Sequence, residues 1–193
     1  MRVAEELLDF WLGPEPERDT PAKAVAERWW VADAEFDRQV AARWGDVLEQ
    51  ASAGGQRDWE ATPRGRLALV VLFDQFSRNI YRDKPGMYEN DEQAVALTIN
   101  ALDRGDEQQL RAAERLFLYM PLMHAEELEL QERCVRLIHG LAADHSYFEQ
   151  HADFAERHRN VVARFGRFPH RNSVLGRTST AEEIEFLLEG GRF

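Results

Sequence analysis

The sequence predicts an all-α protein of about eight or nine helices, and three observations predict it. Apolar residues recur at helical spacing from end to end, and no segment alternates convincingly enough to be a strand. Capping and breaking residues divide these runs into helix-sized pieces. The connections between them are short, which points to an antiparallel helical stack. No linker divides the 193 residues, so residues 1–193 are expected to form one domain, long enough to bury roughly 70% of its unfolded surface.

The elements follow in order. Val3 to Leu12 reads as the first helix, stopped by Gly13 and Pro14. Thr20 reads as an N-cap with Pro21 in the first turn of the second, which leads to Trp29 and Trp30. Asp33 is expected to cap a third helix, spaced Phe36, Val40, Trp44, Val47 and Leu48 and ended by Gly54 and Gly55. Thr62 and Pro63 open the most hydrophobic helix, from Arg64 to about Tyr81. Asp91 reads as the cap of the next, which ends near Gly105, and Asp106 as the start of another that Pro121 kinks or terminates. Glu126 to Ala143 and Tyr147 to Phe165 follow. After a loop rich in Arg, Gly and Pro, Thr180 and Glu183 have the spacing of a capping box for a last short helix. No clean repeat marks a consensus solenoid.

Composition bounds the function. Hydrophobic residues make up 44% and charged residues 31%, a globular balance. Cys134 is the one cysteine, so no internal disulfide or cysteine-based zinc site can form and a reducing compartment fits. Acids stand near Met1 where a secretion signal needs an apolar core, and the longest apolar run, Leu67 to Phe73, is too short to span a bilayer. A cytoplasmic protein with no membrane partner is expected. The net charge of −11 argues against nucleic acid. Between Arg157 and Arg177, however, lie six arginines and no acid, a +6 segment that either packs against the acidic remainder or forms an anion site.

Polar residues occupy three unexpected places. In the central helix, Leu69, Leu72, Phe73, Phe76 and Ile80 form one apolar stripe, beside which run the i,i+4 pairs Asp74–Arg78 and Gln75–Asn79. Such pairs read either as ordinary helix contacts or as a network near the core. Helical spacing from His124, near a helix N-terminus, gives Leu128, Gln131, Val135 and Ile138, so His124 looks inward, as a core histidine, a ligand donor or a general base. His158 does the same on the stripe His151, Phe154, His158, Val161 and Phe165. Arg167, His170, Arg171 and Asn172 follow on a loop, where binding residues are often mounted. The six histidines show no metal-ligand spacing, and no nucleophile elbow, phosphate loop or dinucleotide fingerprint is present. No metal or cofactor is expected.

Three blocks resemble a known family. Leu72 to Arg82 (LFDQFSRNIYR), Phe117 to Gln131 (FLYMPLMHAEELELQ), and His158 with Arg164 to Asn172 (RFGRFPHRN), Leu175 to Arg177 and Ser179-Thr180 are similar, in order, to the motifs of the bacterial domain-of-unknown-function family 924. Phe73 stands where that family usually has Leu, Ser77 where it often has Pro, and Ala125 where it often has Ser, which weakens a serine nucleophile beside His124. The resemblance implies a tetratricopeptide-like, right-handed α–α superhelix and brings no activity. Its motif residues fall here on Asp74, Gln75, Arg78, Asn79, His124, Glu126, His158, Arg167, His170, Arg171, Asn172 and Arg177.

The leading expectation is a polar pocket for a small anionic ligand. Arg78, Arg167 and Arg171 would supply charge, Asp74 and Asn79 orientation, and His124, His158 or His170 any proton transfer, with Gln75, Glu126, Asn172 and Arg177 also at the ligand. Charge reversal at Arg171 is expected to remove binding without unfolding the chain. The alternatives are a peptide-binding scaffold with Trp29, Trp30, Trp44 and Trp59 along a groove, and a buried network that only holds the stack together.

Overall fold

The computed structural model describes residues 2–14 and 18–191, in which nine helical segments are joined by turns and short 3₁₀ stretches, with no strand among the described residues. They are α1 (Arg2–Leu12), α2 (Lys23–Trp30), α3 (Ala34–Ser52), α4 (residues 63–80), α5 (Asp91–Asp103), α6 (Ala112–His124), α7 (Leu128–Asp144), α8 (Glu149–Phe165) and α9 (Ala181–Leu188).

Several ends lie where the sequence puts them, each with its cause visible. The Asp33 carboxylate accepts from the N–H groups of Glu35 and Phe36 at 2.7 and 3.2 Å, starting α3. Thr62 accepts from Gly65 N–H and Pro63 takes the first position of α4. A side chain at Gly65 would collide with the Trp59 carbonyl, so this approach of backbone to helix admits glycine alone. Thr180 and Glu183 exchange the two bonds of a capping box.

Other expectations are corrected. Thr20 does not cap α2, which starts at Lys23 without a side-chain cap. The preceding segment is occupied elsewhere: the Arg18 carbonyl accepts from Ala113 N–H and the Asp19 carboxylate from Ala112 N–H, stitching residues 18–19 to the start of α6. Asp91 lies inside α5, not at its cap. The cap position belongs to Asn90, whose amide is drawn to Ser77 and Ser52. Asp106 begins only a 3₁₀ turn (Asp106–Gln109), because its carboxylate is buried against Arg66. Pro121 is carried inside α6, which continues to His124. Glu126 precedes α7 instead of opening it.

The hydrophobic core is centred on α4, buried on all sides from Leu67 to Ser77. The expected stripe Leu69, Leu72, Phe73 and Phe76 is buried, with Ile80 half-buried against it. Aromatic side chains tie distant helices together: Trp11 meets Phe76 and Phe117 edge-on at 5.5 and 5.6 Å, and Trp29 meets Phe117 at 4.7 Å. Trp29, Trp44 and Trp59 belong to this core, leaving Trp30, 52% exposed, as the groove candidate that reaches solvent. A smaller cluster of Val161, Val162 and Phe168, flanked by Phe165 and Phe186, joins α8 to the loop that follows it and to α9. No described helix is long and apolar enough to cross a membrane.

Candidate functional site

The site begins with an irregularity in α4. Its first stretch, Pro63–Val70, and its last, Ser77–Ile80, are α-helical, but Val71–Phe76 has the wider π-helical winding. Such a stretch makes room for an extra residue in the turn and re-aims the side chains beyond it. Extrapolation at 3.6 residues per turn fails here. The Asp74–Arg78 pair does form, at 3.3 Å. Gln75 and Asn79 do not pair: Gln75 donates to the Asp74 carboxylate and approaches the Met120 sulfur at 3.8 Å, while Asn79 donates to Asp37 at 2.8 Å. Asp74 is 1% exposed.

His124 stands at the C-terminal end of α6, not at a helix N-terminus. Its own carbonyl accepts from Arg171 Nη2 at 2.9 Å, and Gln131 Nε2 donates to the carbonyls of Met123 and Ala125 at 2.5 and 2.7 Å, so two side chains close the open end of the helix. Because the chain turns at 125–127, the stripe drawn from His124 is broken: Leu128 is 41% exposed while Gln131 is fully buried.

The π-turn and this helix end meet at a hydrogen bond of 2.7 Å between Asp74 Oδ1 and His124 Nδ1. Burial alone would push the Asp74 carboxyl up, but Arg78, His124 and Gln75 outweigh it and hold it well below the usual carboxylate range. A carboxylate can only accept, so the imidazole proton sits on Nδ1. Burial, reinforced by Arg78 and Arg171 and partly offset by Asp74, lowers the His124 pKa below 6.5 and keeps the ring neutral at pH 7. Its Nε2 lone pair is left for the cavity that His124 lines.

That cavity measures about 760 Å³, within the range of small-molecule sites. Of the residues singled out in the sequence it gathers Arg78, His124, His158, His170 and Arg171, drawn from α4, α6, α8 and the loop beyond α8. The His124 and His158 rings lie 6.2 Å apart. His158 Nδ1 donates to the Phe154 carbonyl at 2.8 Å, and burial, with His124, Arg171 and His170 nearby, pushes its pKa down to about 3. The Arg171 guanidinium is held between the rings of Tyr88 and Phe168, 4.6 and 4.5 Å from their centres. Asp91 clamps both arginines, bonding Arg78 through both carboxylate oxygens at 2.9 and 3.0 Å and Arg171 at 3.3 Å. Arg171 is 6% exposed, so charge reversal there would break a buried clamp and a helix end, and the expectation of a harmless reversal is withdrawn.

Tyr88 and Asp91 were not anticipated as part of the site. Tyr88 gave no signal, and the position of Asp91 ahead of an apolar run imitated a cap. Trp30, Met120, Met123 and Phe154 also line the cavity, and apolar periodicity could not distinguish them from core.

Glu126, Arg167, Asn172 and Arg177 lie away from the cavity lining and engage one another. Arg177 grips both oxygens of Glu126 at 2.5 and 2.9 Å and donates to Asn172, Arg167 grips both oxygens of Glu183 at 2.6 and 2.8 Å, and Asn172 donates to Glu183 and Ser179. Glu126 also accepts from Phe168 N–H at 2.7 Å. This network moors the loop after α8 to the start of α7 and to α9. Four of the six arginines of the +6 segment, Arg164, Arg167, Arg171 and Arg177, pair with Glu182, Glu183, Asp91 and Glu126. A second cleft of about 540 Å³, against Leu69 and Phe73, brings only Arg57 and Glu60 as charged groups. Among the described residues, no three His, Cys, Asp or Glu side chains are grouped to hold a metal ion.

A comparison with the curated proteins finds no match. The solved structure of a protein of unknown function, ATU0120 from Agrobacterium tumefaciens, is similar to this chain with a TM-score of 0.84 and 35% identity, covering 98% of each chain. Residues 7–191 match the family described as "Bacterial protein of unknown function (DUF924)", and that span carries the Asp74–His124 contact, the cavity and the loop network alike. The chain belongs to that family.

Proposed function

We propose that the protein binds a small anionic ligand in the 760 Å³ cavity and acts on it by acid–base chemistry, with His124 as general base oriented by Asp74. The observation that carries the reading is the 2.7 Å bond between Asp74 and a neutral His124 on the cavity wall. A base needs a vacant lone pair, a fixed ring and a pKa below working pH, and this pair supplies all three. Arg78 and Arg171 provide the charge that recognises the anion and steadies negative charge developing on it, leaving Arg167 and Arg177 to the loop network. His158, its pKa pushed down to about 3 and its Nδ1–H bonded to the Phe154 carbonyl, is a neutral polar group of the wall and leaves proton transfer to His124. Hydrolysis and elimination are the reaction types that need no more than these groups.

The site occupies one end of a stack that we take to be tetratricopeptide-like, as the resemblance implies, in a protein we place in the cytoplasm because its cysteine is a buried thiol. The peptide-scaffold reading, which rests on the concave groove such stacks present, keeps only Trp30 of its four candidate tryptophans, since the other three are core.

The test is a panel of small carboxylic acids with their esters and amides, followed by thermal shift for binding and by mass spectrometry for turnover, on the wild type and His124→Gln. The expected result is a compound that stabilises both proteins and is converted by the wild type alone. Equal conversion by His124→Gln would sink the assignment.

A further inference from the structure

The same cavity has two unlike ends, and from them we infer that its ligand is an amphipathic monocarboxylate, a single carboxylate on an extended apolar body. The inference rests on the reading of this cavity as the ligand site and adds the class of molecule. At the polar end, Arg78 uses three of its five N–H donors on the Asp74 carbonyl and the two oxygens of Asp91. Nε–H and one Nη2–H have no partner among the described residues, and the side chain lines the cavity. Two N–H groups from one planar fork match one carboxylate.

Charge disfavours any group that carries more than one negative unit. Arg78 and Arg171 contribute +2, and Asp74 and Asp91 already return −2, for a sum of zero. Asp83 adds another acid on the same lining. Against these three carboxylates a phosphate dianion brings two negative charges and a carboxylate one, with the open Arg78 fork to offset it.

The other end is apolar. Leu116, Met120 and Met123 follow one another at helical spacing along α6 and form a buried apolar wall behind the cavity, none more than 4% exposed. Trp30 and Phe154 join the lining with 52% and 46% of their surfaces exposed. Large side chains left uncovered around a cavity mark where an apolar partner rests. The methionines, flexible and polarizable, accept a body of variable shape. A short polar acid would leave Trp30 and Phe154 uncovered.

The experiment is calorimetric titration of the full chain at pH 8 with straight-chain monocarboxylates from propionate to decanoate, with 1-alkanols and monoalkyl phosphates of matching length as controls. Affinity should rise about fourfold per methylene until the apolar end is filled. At equal length the alkanol should bind about tenfold more weakly, having lost the charge-assisted pair, and the phosphate should also bind more weakly than the acid. Trp30→Ala and Phe154→Ala, at exposed positions, should flatten the chain-length slope while leaving propionate unchanged. A flat slope in the wild type, alkanols that equal the acids, or phosphates that exceed them would overturn the inference. The general-base reading fails separately: long-range ¹H–¹⁵N correlation of His124 in the unliganded protein reads the protonated nitrogen. A proton on Nε2 removes the base whatever the titrations give. A proton on Nδ1 beside a flat slope keeps the base and removes the amphipathic acid.

Discussion

Fifty residues of sequence separate Asp74 from His124, and 2.7 Å separates their side chains. One comes from the widened turn of α4 and the other from the last residue of α6, so two helix irregularities are brought face to face. The carboxylate fixes the tautomer, and burial, helped by Arg78 and Arg171, keeps the ring from charging.

Asp74→Asn tests that division of labour. The amide can donate as well as accept, so the ring is released to present either nitrogen, and the support that Asp74 gives to the protonated form is lost. Turnover of any substrate found by the panel should fall about 10²–10⁴-fold, and the His124 correlation spectrum should change from one tautomer to a mixture. An unchanged spectrum would show that the carboxylate does not orient the ring.

His158 sets a pH dependence of stability. Its folded pKa is about 3 against 6.5 for the free side chain, so between those values the unfolded chain binds the extra proton. Its contribution is intact above pH 6.5 and is lost as pH falls from there toward 3, at about 1.4 kcal/mol per pH unit for one proton. Urea unfolding at pH 7 and pH 5 should show a shallower loss in His158→Gln than in the wild type. Equal losses would place the titrating group elsewhere.

Arg66 and Asp106 form a salt bridge in which each residue is 3% exposed. Arg66→Met leaves the carboxylate buried and unpaired and should cost about 3–5 kcal/mol, whereas the double variant Arg66→Met with Asp106→Leu should recover much of that loss. Denaturant midpoints of the three proteins measure it, and an additive double variant would contradict the pairing.

Glu183 serves Arg167, Asn172 and the N–H of Thr180 at once. Glu183→Ala should therefore lower the melting temperature and speed trypsin cleavage at Arg167 and Arg177 relative to the wild type. Unaltered digestion would mean that Glu126 holds the loop without help.

The fold was legible wherever local chemistry decides structure. Asp33, Thr62 and Thr180 act within three residues of themselves, and the apolar spacing of α3 and α4 needs no knowledge of what covers it. Errors arose where a distant partner wins: Thr20 lost to the hold of α6 on Arg18 and Asp19, Asp106 to Arg66, and Asp91 to two arginines. In the site, the inward-looking Asp74 and His158 were visible as polar interruptions of apolar stripes, whereas the stripe that singled out His124 is broken by the turn at 125–127. Periodicity could not show the π-turn, because that winding departs from the period itself. Nor could it tell arginines that line a cavity from those that moor a loop, since Arg171 and Arg177 stand in the same stretch and differ only in where the chain has folded beneath them.

Of five tryptophans, Trp11, Trp29, Trp44 and Trp59 are buried and only Trp30 is open, at the lining of the cavity and 5.4 Å from the His151 ring. On the proposed reading of the cavity, Trp30 is an optical reporter of its occupancy. A ligand that fills the cavity would cover this indole, so occupancy should appear as a blue shift of the tryptophan emission, without a label or a known substrate.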